Sequence, residues 1–193
     1  MEFFTSDQHF GHANIIALVG RPFQSVQEMN ATIVERFNAV VTPEDTVFHL
    51  GDFCFRTTIS GVTQMLGQLN GRHILVAGNH DPCSTVHSRW QREVRRYIEA
   101  GFTEVHQELV REVAGLGVVQ MNHFPLFEQS DEDTHLRYTE HRPRVLAESA
   151  RIQLCGHVHE RWRVRGRSVN VGVDVWDYAP TTADMITRHI DVT

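Results

Sequence analysis

The chain has 193 residues, enough for one domain with a hydrophobic core and too few for two of ordinary size. We therefore predict a single domain over residues 1–193. Hydrophobic residues make up 41% and charged residues 22%, which is typical of soluble globular proteins and excludes a disordered or fibrous chain. The formal net charge of −6 argues against a protein that holds nucleic acid mainly by attraction to phosphates.

Cysteine usage and hydropathy bear on the compartment. Cys54, Cys83 and Cys155 are odd in number and widely spaced, which favours neither a disulfide framework nor a CxxC metal motif. No apolar run approaches the ~18 residues needed to cross a membrane, and Glu2 stands where a signal peptide would carry positive charge. We expect a cytoplasmic protein with no membrane partner, and the sequence does not specify an oligomeric state.

Strands and helices alternate in the first half of the chain. Ser25, followed three residues later by Glu28, predicts a capping box at the start of one helix. The predicted strands are 2–5, 46–50 and 73–76, and the predicted helices are 26–41 and 60–69. This order predicts a parallel sheet covered by helices.

The second half is more mixed. It contains an Arg- and Glu-rich helix, a hairpin around Gly115 and Gly117, a long polar loop that could form a pocket rim, a short strand, a second hairpin and a closing helix. The corresponding ranges are 84–100, 103–122, 127–144, 152–155, 161–173 and 181–190. The arginines of the second hairpin could form a nucleic-acid face, but we favour a solvated face, because polar alternation is usual in a half-buried hairpin.

Polar clusters follow the predicted strands, where open α/β sheets place their ligand sites. A lone His after a strand is usually structural, but an ordered series of clusters is hard to attribute to chance. The clusters are Asp7 with His9, Gly51-Asp52, Gly78-Asn79-His80-Asp81, Asn122-His123 and Gly156-His157 with His159. On extended backbone His157 and His159 would share a face, and so would Asp7 and His9.

These residue types indicate a divalent metal site. Asp, Asn and His are ligands that suit ions of intermediate hardness, namely manganese, iron, zinc or nickel. An all-oxygen calcium or magnesium site is less favoured. The donors suffice for two ions, which one carboxylate could bridge. We predict two divalent ions, with manganese favoured.

In order and spacing, this series of motifs between Asp7 and His159 resembles the calcineurin-like metallophosphoesterase superfamily. The resemblance implies an α/β fold, specifically a two-layer αββα sandwich of mixed sheets with a bimetal centre at one edge. It implies that Asp7, His9 and His159 hold one ion, that Asn79, His123 and His157 hold the other, and that Asp52 bridges them. His80 would not be a ligand and would face the substrate.

The resemblance also implies a reaction. Hydroxide activated by the two metals would attack a phosphate mono- or diester, with His80 as general acid or as a donor to the phosphoryl oxygens. The expected substrate is a small or flexible phosphate ester. One alternative is a nuclease or cyclic-nucleotide phosphodiesterase, with nucleic acid less favoured as a partner. The other is a non-catalytic, metal-binding interaction module on the same fold.

Departures from the better-known members narrow the prediction. Where Ser/Thr protein phosphatases carry GDxxDRG, this chain has Phe55 in place of the acid, which puts a His-Asp pairing for His80 in doubt. Arg56 falls on the motif's arginine and is a candidate phosphate contact. The form DxHFGH looks like small, uncharacterised bacterial or phage phosphoesterases.

Other polar residues receive weaker assignments. His12 is a candidate pocket residue; for it and for Asn14 we weigh pocket roles against structural ones. We predict that His49 lies in the core and that Asp81 holds its loop. The remaining histidines have no supporting context and are predicted to lie at the surface: His73, His87, His106, His135, His141 and His189.

Overall fold

The computed structural model describes residues 1–127 and 138–190, and within them the chain forms ten strands. In chain order they are β1 (Glu2–Thr5), β2 (Thr46–His49), β3 (Arg72–Val76), β4 (Glu104–His106), β5 (Glu108–Val113), β6 (Gly117–Asn122), β7 (Ile152–Cys155), β8 (Val164–Arg165), β9 (Ser168–Asn170) and β10 (Thr181–Thr182). The first sheet has the order β10-β1-β2-β3-β4, and the second has β5-β6-β7-β9-β8. Strands β1 to β4 are parallel, as are β6, β7 and β9.

Five α-helices accompany the sheets in the described residues. They are α1 (Ile15–Leu18), α2 (Val26–Val40), α3 (Ile59–Leu66), α4 (Trp90–Glu99) and α5 (Ala183–Thr187), with 3-10 turns at Thr139–His141 and Val173–Val175. As predicted, Ser25 caps α2 by accepting a hydrogen bond from the Glu28 N–H. None of these helices combines the length and apolar character that crossing a membrane requires.

Three predicted boundaries are wrong. The helix expected over 84–100 begins only at Trp90, and before it the Thr85 N–H donates to the Gln107 side chain instead of a helical carbonyl. Residues 104–106 belong to the first sheet rather than to the β5–β6 hairpin. The closing helix is shorter than predicted, because Thr181 and Thr182 pair with β1.

Both faces of the first sheet are buried, because successive side chains of a strand point to opposite sides. Phe3 and Val47 pack with helices α2, α3 and α4 in one core, whereas Phe4 and Phe48 pack against the second sheet in another. The two sheets and the helical layer form the mixed α/β sandwich predicted from the sequence.

The outer face of the second sheet is polar yet covered. Gln153 accepts a hydrogen bond from the Leu126 N–H at 2.7 Å and donates to the Phe124 carbonyl at 3.1 Å. Gln120 accepts from the Ala147 N–H at 2.8 Å. Through these hydrogen bonds the two buried amides fix the irregular segments around Leu126 and Ala147 over the sheet. Residues 128–137 of the predicted polar loop lie outside the described residues.

One predicted surface histidine, His73, is buried. Its Nε2 lies 3.4 Å from the Leu69 carbonyl, its Nδ1 lies 3.0 Å from His49 Nε2, and His49 Nδ1 lies 3.1 Å from Gln8 Nε2. With Gln8 donating to His49, each ring donates once and accepts once, so both are satisfied only as neutral imidazoles. His73 follows an exposed Arg72 in the sequence, and its ring is buried beside Phe37 of α2 and Phe102.

We expect the metal-free protein to lose stability as the pH falls below about 6.5. Burial, followed by the neighbouring His73, lowers the pKa of His49, and burial lowers the pKa of His73. Below pH 6.5 the unfolded chain therefore binds more protons than the folded one. Each such histidine then costs about 1.4 kcal/mol per pH unit until the folded pKa is reached. Urea unfolding in EDTA between pH 8 and 5.5 measures the slope.

A His49→Leu/His73→Leu double variant should reduce the pH dependence of the unfolding free energy by an amount equivalent to the uptake of up to two protons on unfolding. His189→Gln is the matched control, because His189 is exposed to solvent and its loss should leave the slope unchanged. An identical slope in the double variant and the wild type would contradict this account of the pair.

Candidate metal centre

The carboxyl ends of β1, β2, β3, β6 and β7 meet at one edge of the sandwich, and their polar side chains converge there. Three groups each place one potential ligand atom per residue within 4.8 Å of the others. The groups are Asp7/His9/His159, Asp7/Asp52/His123 and His9/Asp52/His80. They share members, so they form one continuous cluster.

In the first group, His9 carries a ring nitrogen with nothing to bind. Its Nε2 is buried and has no hydrogen-bond partner among the described residues. It lies 3.5 Å from Asp52 Oδ2 and 4.0 Å from Asp7 Oδ1. Burial, followed by the charges of His159 and Arg21, holds the pKa of His9 well below its usual value, so the ring is neutral and offers a lone pair.

His123 presents a second lone pair on the opposite side of Asp52. Its Nδ1 lies 2.7 Å from the Leu50 carbonyl and donates to it, so Nε2 carries no proton in the neutral ring. This Nε2 faces two acceptors, Asn79 Oδ1 at 3.0 Å and Asp52 Oδ2 at 3.5 Å. The His157 ring centroid lies 5.2 Å from that of His123. Converging acceptors with no proton among them are the environment that a cation satisfies.

Asp52 stands between the two histidines, in surroundings that disfavour its charged form. Burial and the nearby carboxylates Asp7 and Asp81 raise the pKa of Asp52 well above its ordinary value, although the His80 N–H donates to its Oδ1 at 2.7 Å. A bound divalent cation would reverse this effect. The donor set therefore fits a divalent metal.

The backbone is left-handed at five positions of this cluster. The φ angles are 57° at Asp7, 52° at His9, 55° at Asp52, 70° at His157 and 50° at His159. The expectation that each Asp/His or His/His pair lies on extended backbone is therefore wrong: the chain turns sharply at each residue, and the His157 ring approaches His123 while the His159 ring stacks on His9. Non-glycine residues at such φ cost about 1–3 kcal/mol each and concentrate at functional sites.

Comparison with known proteins agrees with this arrangement. The sequence model of the calcineurin-like phosphoesterase superfamily domain matches residues 3–178. The chain belongs to the calcineurin-like phosphoesterase superfamily. Together with the Asp and His clusters, this membership indicates a metal-binding hydrolase of phosphate esters.

Proteins similar to this chain come from phages, an archaeon and a bacterium. Gene 66 protein of Mycobacterium phage L5 is 28% identical over 186 residues, covering 90% of this chain and 86% of that protein. Uncharacterized protein MJ1445 of Methanocaldococcus jannaschii is 41% identical over 80 residues, which is 41% of this chain and 46% of that protein, less than half of either. A crystal structure of the protein of unknown function AQ665 from Aquifex aeolicus has a TM-score of 0.72 at 28% identity, covering 98% of this chain and 99% of that one.

Phe55, which stands where the GDxxDRG motif has an acid, packs against two histidine rings. The Phe55 ring stacks on His12 with centroids 3.5 Å apart and meets the His80 ring edge-on at 5.1 Å. Burial, then the charges of His123 and His12, lowers the pKa of His80 to about 4. His80 Nε2 lies 4.0 Å from Asp52 Oδ2, so its ring borders the cluster.

A cleft of about 830 Å³ opens above this cluster of potential metal ligands. Its walls combine apolar side chains such as Leu18, Val19 and Phe55 with the cations Arg56 and Arg161. His12 also lines this cleft. Asn14 is exposed at the start of α1, outside the cleft lining. Asp81, as predicted, holds its loop, accepting hydrogen bonds from the N–H groups of Asp52, Phe53 and Gly78.

Sequence reasoning missed four residues that hold the cluster. Asp174 lies 3.1 Å from His159 Nδ1, Arg21 binds Asp174, Asn170 donates to the His159 carbonyl, and the His87 ring contacts the Asn79 carbonyl at 2.9 Å. The sequence did contain a signal for two of them: Asn170 is the last residue of β9 and Asp174 follows that strand, at the same sheet edge as the other clusters. Arg21 had none.

Proposed function

We propose that the chain is a metal-dependent phosphoesterase that hydrolyses a phosphate mono- or diester. The observation that carries the proposal is the pair of neutral imidazole nitrogens, His9 Nε2 and His123 Nε2, each 3.5 Å from the same oxygen of Asp52. One shared carboxylate with a histidine on either side is the donor arrangement for two neighbouring cations.

Each proposed metal position takes its ligands from distant parts of the chain. Asp7, His9 and His159 form one position, Asn79, His123 and His157 form the other, and Asp52 belongs to both. Divalent ions bound there, manganese being favoured, would neutralise phosphate oxygens and lower the pKa of a water molecule, providing a nucleophile near neutral pH. The residues themselves supply preorganised ligands, because their backbone is set by the strand ends.

His80 would act on the substrate rather than on the metals. Its backbone N–H is tied to Asp52 and its ring is held against Phe55, so the imidazole is oriented before substrate enters. As a neutral ring it can donate one N–H to a phosphoryl oxygen. We therefore favour a hydrogen-bond donor over a proton donor.

The cleft supports a substrate larger than inorganic phosphate. Its apolar wall suits an organic ester group, and Arg56, whose guanidinium lies 5.3 Å from the Phe55 ring centroid, could approach a phosphate. The three cysteines are unpaired and buried, consistent with the cytoplasmic location that we propose.

The nuclease alternative loses part of its support. Within the Arg161 to Arg167 hairpin, Arg163 donates to the Val175 carbonyl and lies 4.5 Å from the Trp176 ring centroid. This arginine packs against its own domain instead of presenting a free cation to a nucleic-acid backbone.

Hydrolysis of aryl phosphate mono- and diesters with added manganese tests the proposal. We expect turnover that EDTA abolishes and manganese restores. Folded protein that turns over neither ester class with manganese, iron, zinc or nickel would refute the enzyme and leave the metal-binding interaction module. Cleavage of DNA or RNA in the same assay would favour the nuclease.

His80→Ala should retain the metal content of the wild type and reduce kcat about 10²- to 10³-fold, the range for loss of one preorganised donor. Metal analysis of the purified variant and steady-state kinetics check the two halves. His189→Ala is the control, since that ring is exposed and lies outside the cleft lining. If metal is lost in His80→Ala, His80 is a ligand, as the His9/Asp52/His80 group allows.

A further inference from the structure

Arg21 is a buried cation that donates to Asp174, to two backbone carbonyls beside the metal cluster and to the Met29 sulfur. Its side chain is fully buried, with 0% exposure. Nε and one terminal nitrogen bind the two oxygens of Asp174 at 2.7 and 2.9 Å. The terminal nitrogens also donate to the carbonyls of Asp7 and Gln8, at 2.7 and 3.0 Å. The guanidinium therefore holds two successive peptide units, Asp7–Gln8 and Gln8–His9.

Asp174 passes this connection on to His159. Its Oδ2 lies 3.1 Å from His159 Nδ1, so in the neutral ring that nitrogen carries the proton and Nε2 carries the lone pair. A histidine that binds metal through one nitrogen usually donates the other N–H to a carboxylate, which sets the tautomer and ring orientation. Asp174 is buried, with 2% of its side chain exposed, so water does not compete for the contact.

A contribution to folding stability is a weak explanation for the buried Arg21–Asp174 ion pair. Burying two charges costs several kcal/mol per ion before their attraction is counted, and apolar replacements of such pairs are often neutral or stabilising. Arg21, which lies between α1 and α2, instead joins the loop after β1 to the turn after β9, on both sides of one proposed metal position.

We propose that Arg21 and Asp174 are positioning residues for the metal position formed by Asp7, His9 and His159, an inference that rests on the proposed metal site. Asp174 selects the His159 tautomer that can bind a metal, and Arg21 holds Asp174 and the Asp7–Gln8 backbone in register. At the second position neither residue contacts His123, whose Nδ1 donates to the Leu50 carbonyl. Loss of the pair therefore weakens one position and spares the other.

Asp174→Asn tests the tautomer. The new amide has one oxygen where Arg21 and His159 now use two, so either its NH₂ donates to His159 Nδ1 or it faces Arg21. We expect manganese binding, followed by calorimetry, to separate into two classes, one weakened about 10- to 100-fold and one unchanged. Long-range ¹H–¹⁵N spectra of the metal-free protein, recorded at a pH high enough that the His159 ring is neutral, should show its proton on Nδ1 in the wild type and redistributed in the variant.

Arg21→Lys tests the bidentate contact between the Arg21 guanidinium and the two oxygens of Asp174. Lysine keeps the charge but cannot reach both oxygens of Asp174 and two carbonyls in one plane, so the same position should weaken. Matched controls are Arg36→Lys and Asp177→Asn, which disrupt an exposed Arg–Asp pair between neighbouring segments and should leave both classes unchanged. If Arg21→Lys does not fold, the Asp174→Asn isotherm and spectra decide alone.

Two results would overturn the proposal: unchanged affinity at both positions in Asp174→Asn, or equal weakening of both. A wild-type His159 with its proton on Nε2 would also overturn it, whatever the activity. Normal metal binding with the expected selective loss, but no ester hydrolysis by the wild type, would refute the proposed reaction and leave the positioning pair standing.

Discussion

Asp52→Asn should abolish measurable hydrolysis and weaken metal binding at both positions without destabilising the metal-free fold. The carboxylate is shared, so its charge is lost from both positions at once. In the metal-free protein the charged form is disfavoured, because burial and the neighbouring Asp7 and Asp81 raise the pKa of the Asp52 carboxyl. An asparagine amide would instead donate toward the unpartnered His9 Nε2, which lies 3.5 Å from the present Oδ2.

The measurement is urea unfolding with and without manganese. Wild-type protein should gain stability with metal according to RT ln(1 + [L]/Kd), about 2.7 kcal/mol at a hundredfold excess over Kd. The variant should gain far less, yet match or exceed the wild type in EDTA. Functional sites commonly trade stability in this way.

Asp81→Asn is the matched control, since it places the same substitution at another fully buried aspartate. Asp81 accepts hydrogen bonds from the N–H groups of Asp52, Phe53 and Gly78, and an amide leaves at least one of them facing a donor. We expect a loss of about 1–3 kcal/mol in EDTA. If Asp52→Asn destabilised the metal-free fold as much as Asp81→Asn, the interpretation of Asp52 as an unneutralised ligand would be wrong.

Gly51→Ala should be the most destabilising of three glycine substitutions that separate crowding from backbone strain. At Gly51, φ is +96° and an added Cβ would lie 2.5 Å from the Gly78 nitrogen and 2.6 Å from His123 Nδ1. At Gly78 a Cβ would lie 2.4 Å from Asp52 Oδ1, without a positive φ. The strand ends carrying Asp52, Asn79 and His123 therefore touch through these two glycines.

Gly20→Ala isolates the strain, because its φ is +67° and nothing lies within 4 Å of an added Cβ. We expect a cost of about 1–2 kcal/mol for Gly20→Ala. Gly78→Ala should cost about 3 kcal/mol or more, with impaired metal binding, and Gly51→Ala should exceed both. Urea unfolding gives the order. A Gly78→Ala variant as stable as Gly20→Ala would show that the strand ends can separate, contrary to the close packing described above.

Much of the proposed site follows from local sequence. Short apolar runs followed by Asp7, Asp52, Asn79, His123 and His157 identify strands and the polar residues at their carboxyl ends. Parallel strands bring such ends to one edge, and the structure does bring these side chains together. The types of ligand, and with them the class of ion, are likewise written in the sequence.

Other features depend on which segments meet in three dimensions. His73 is buried because helix packing covers it, and the ligand pairs diverge because their backbone is left-handed rather than extended. Arg21 and Asp174 are 153 positions apart, and although Asp174 follows a strand as the other clusters do, no motif surrounds Arg21. The sequence alone determined which chemistry the sheet edge can carry, because strand periodicity and ligand type are local properties. Only the tertiary structure decided how that chemistry is oriented, because the partners of a buried charge are chosen by the packing of the whole domain.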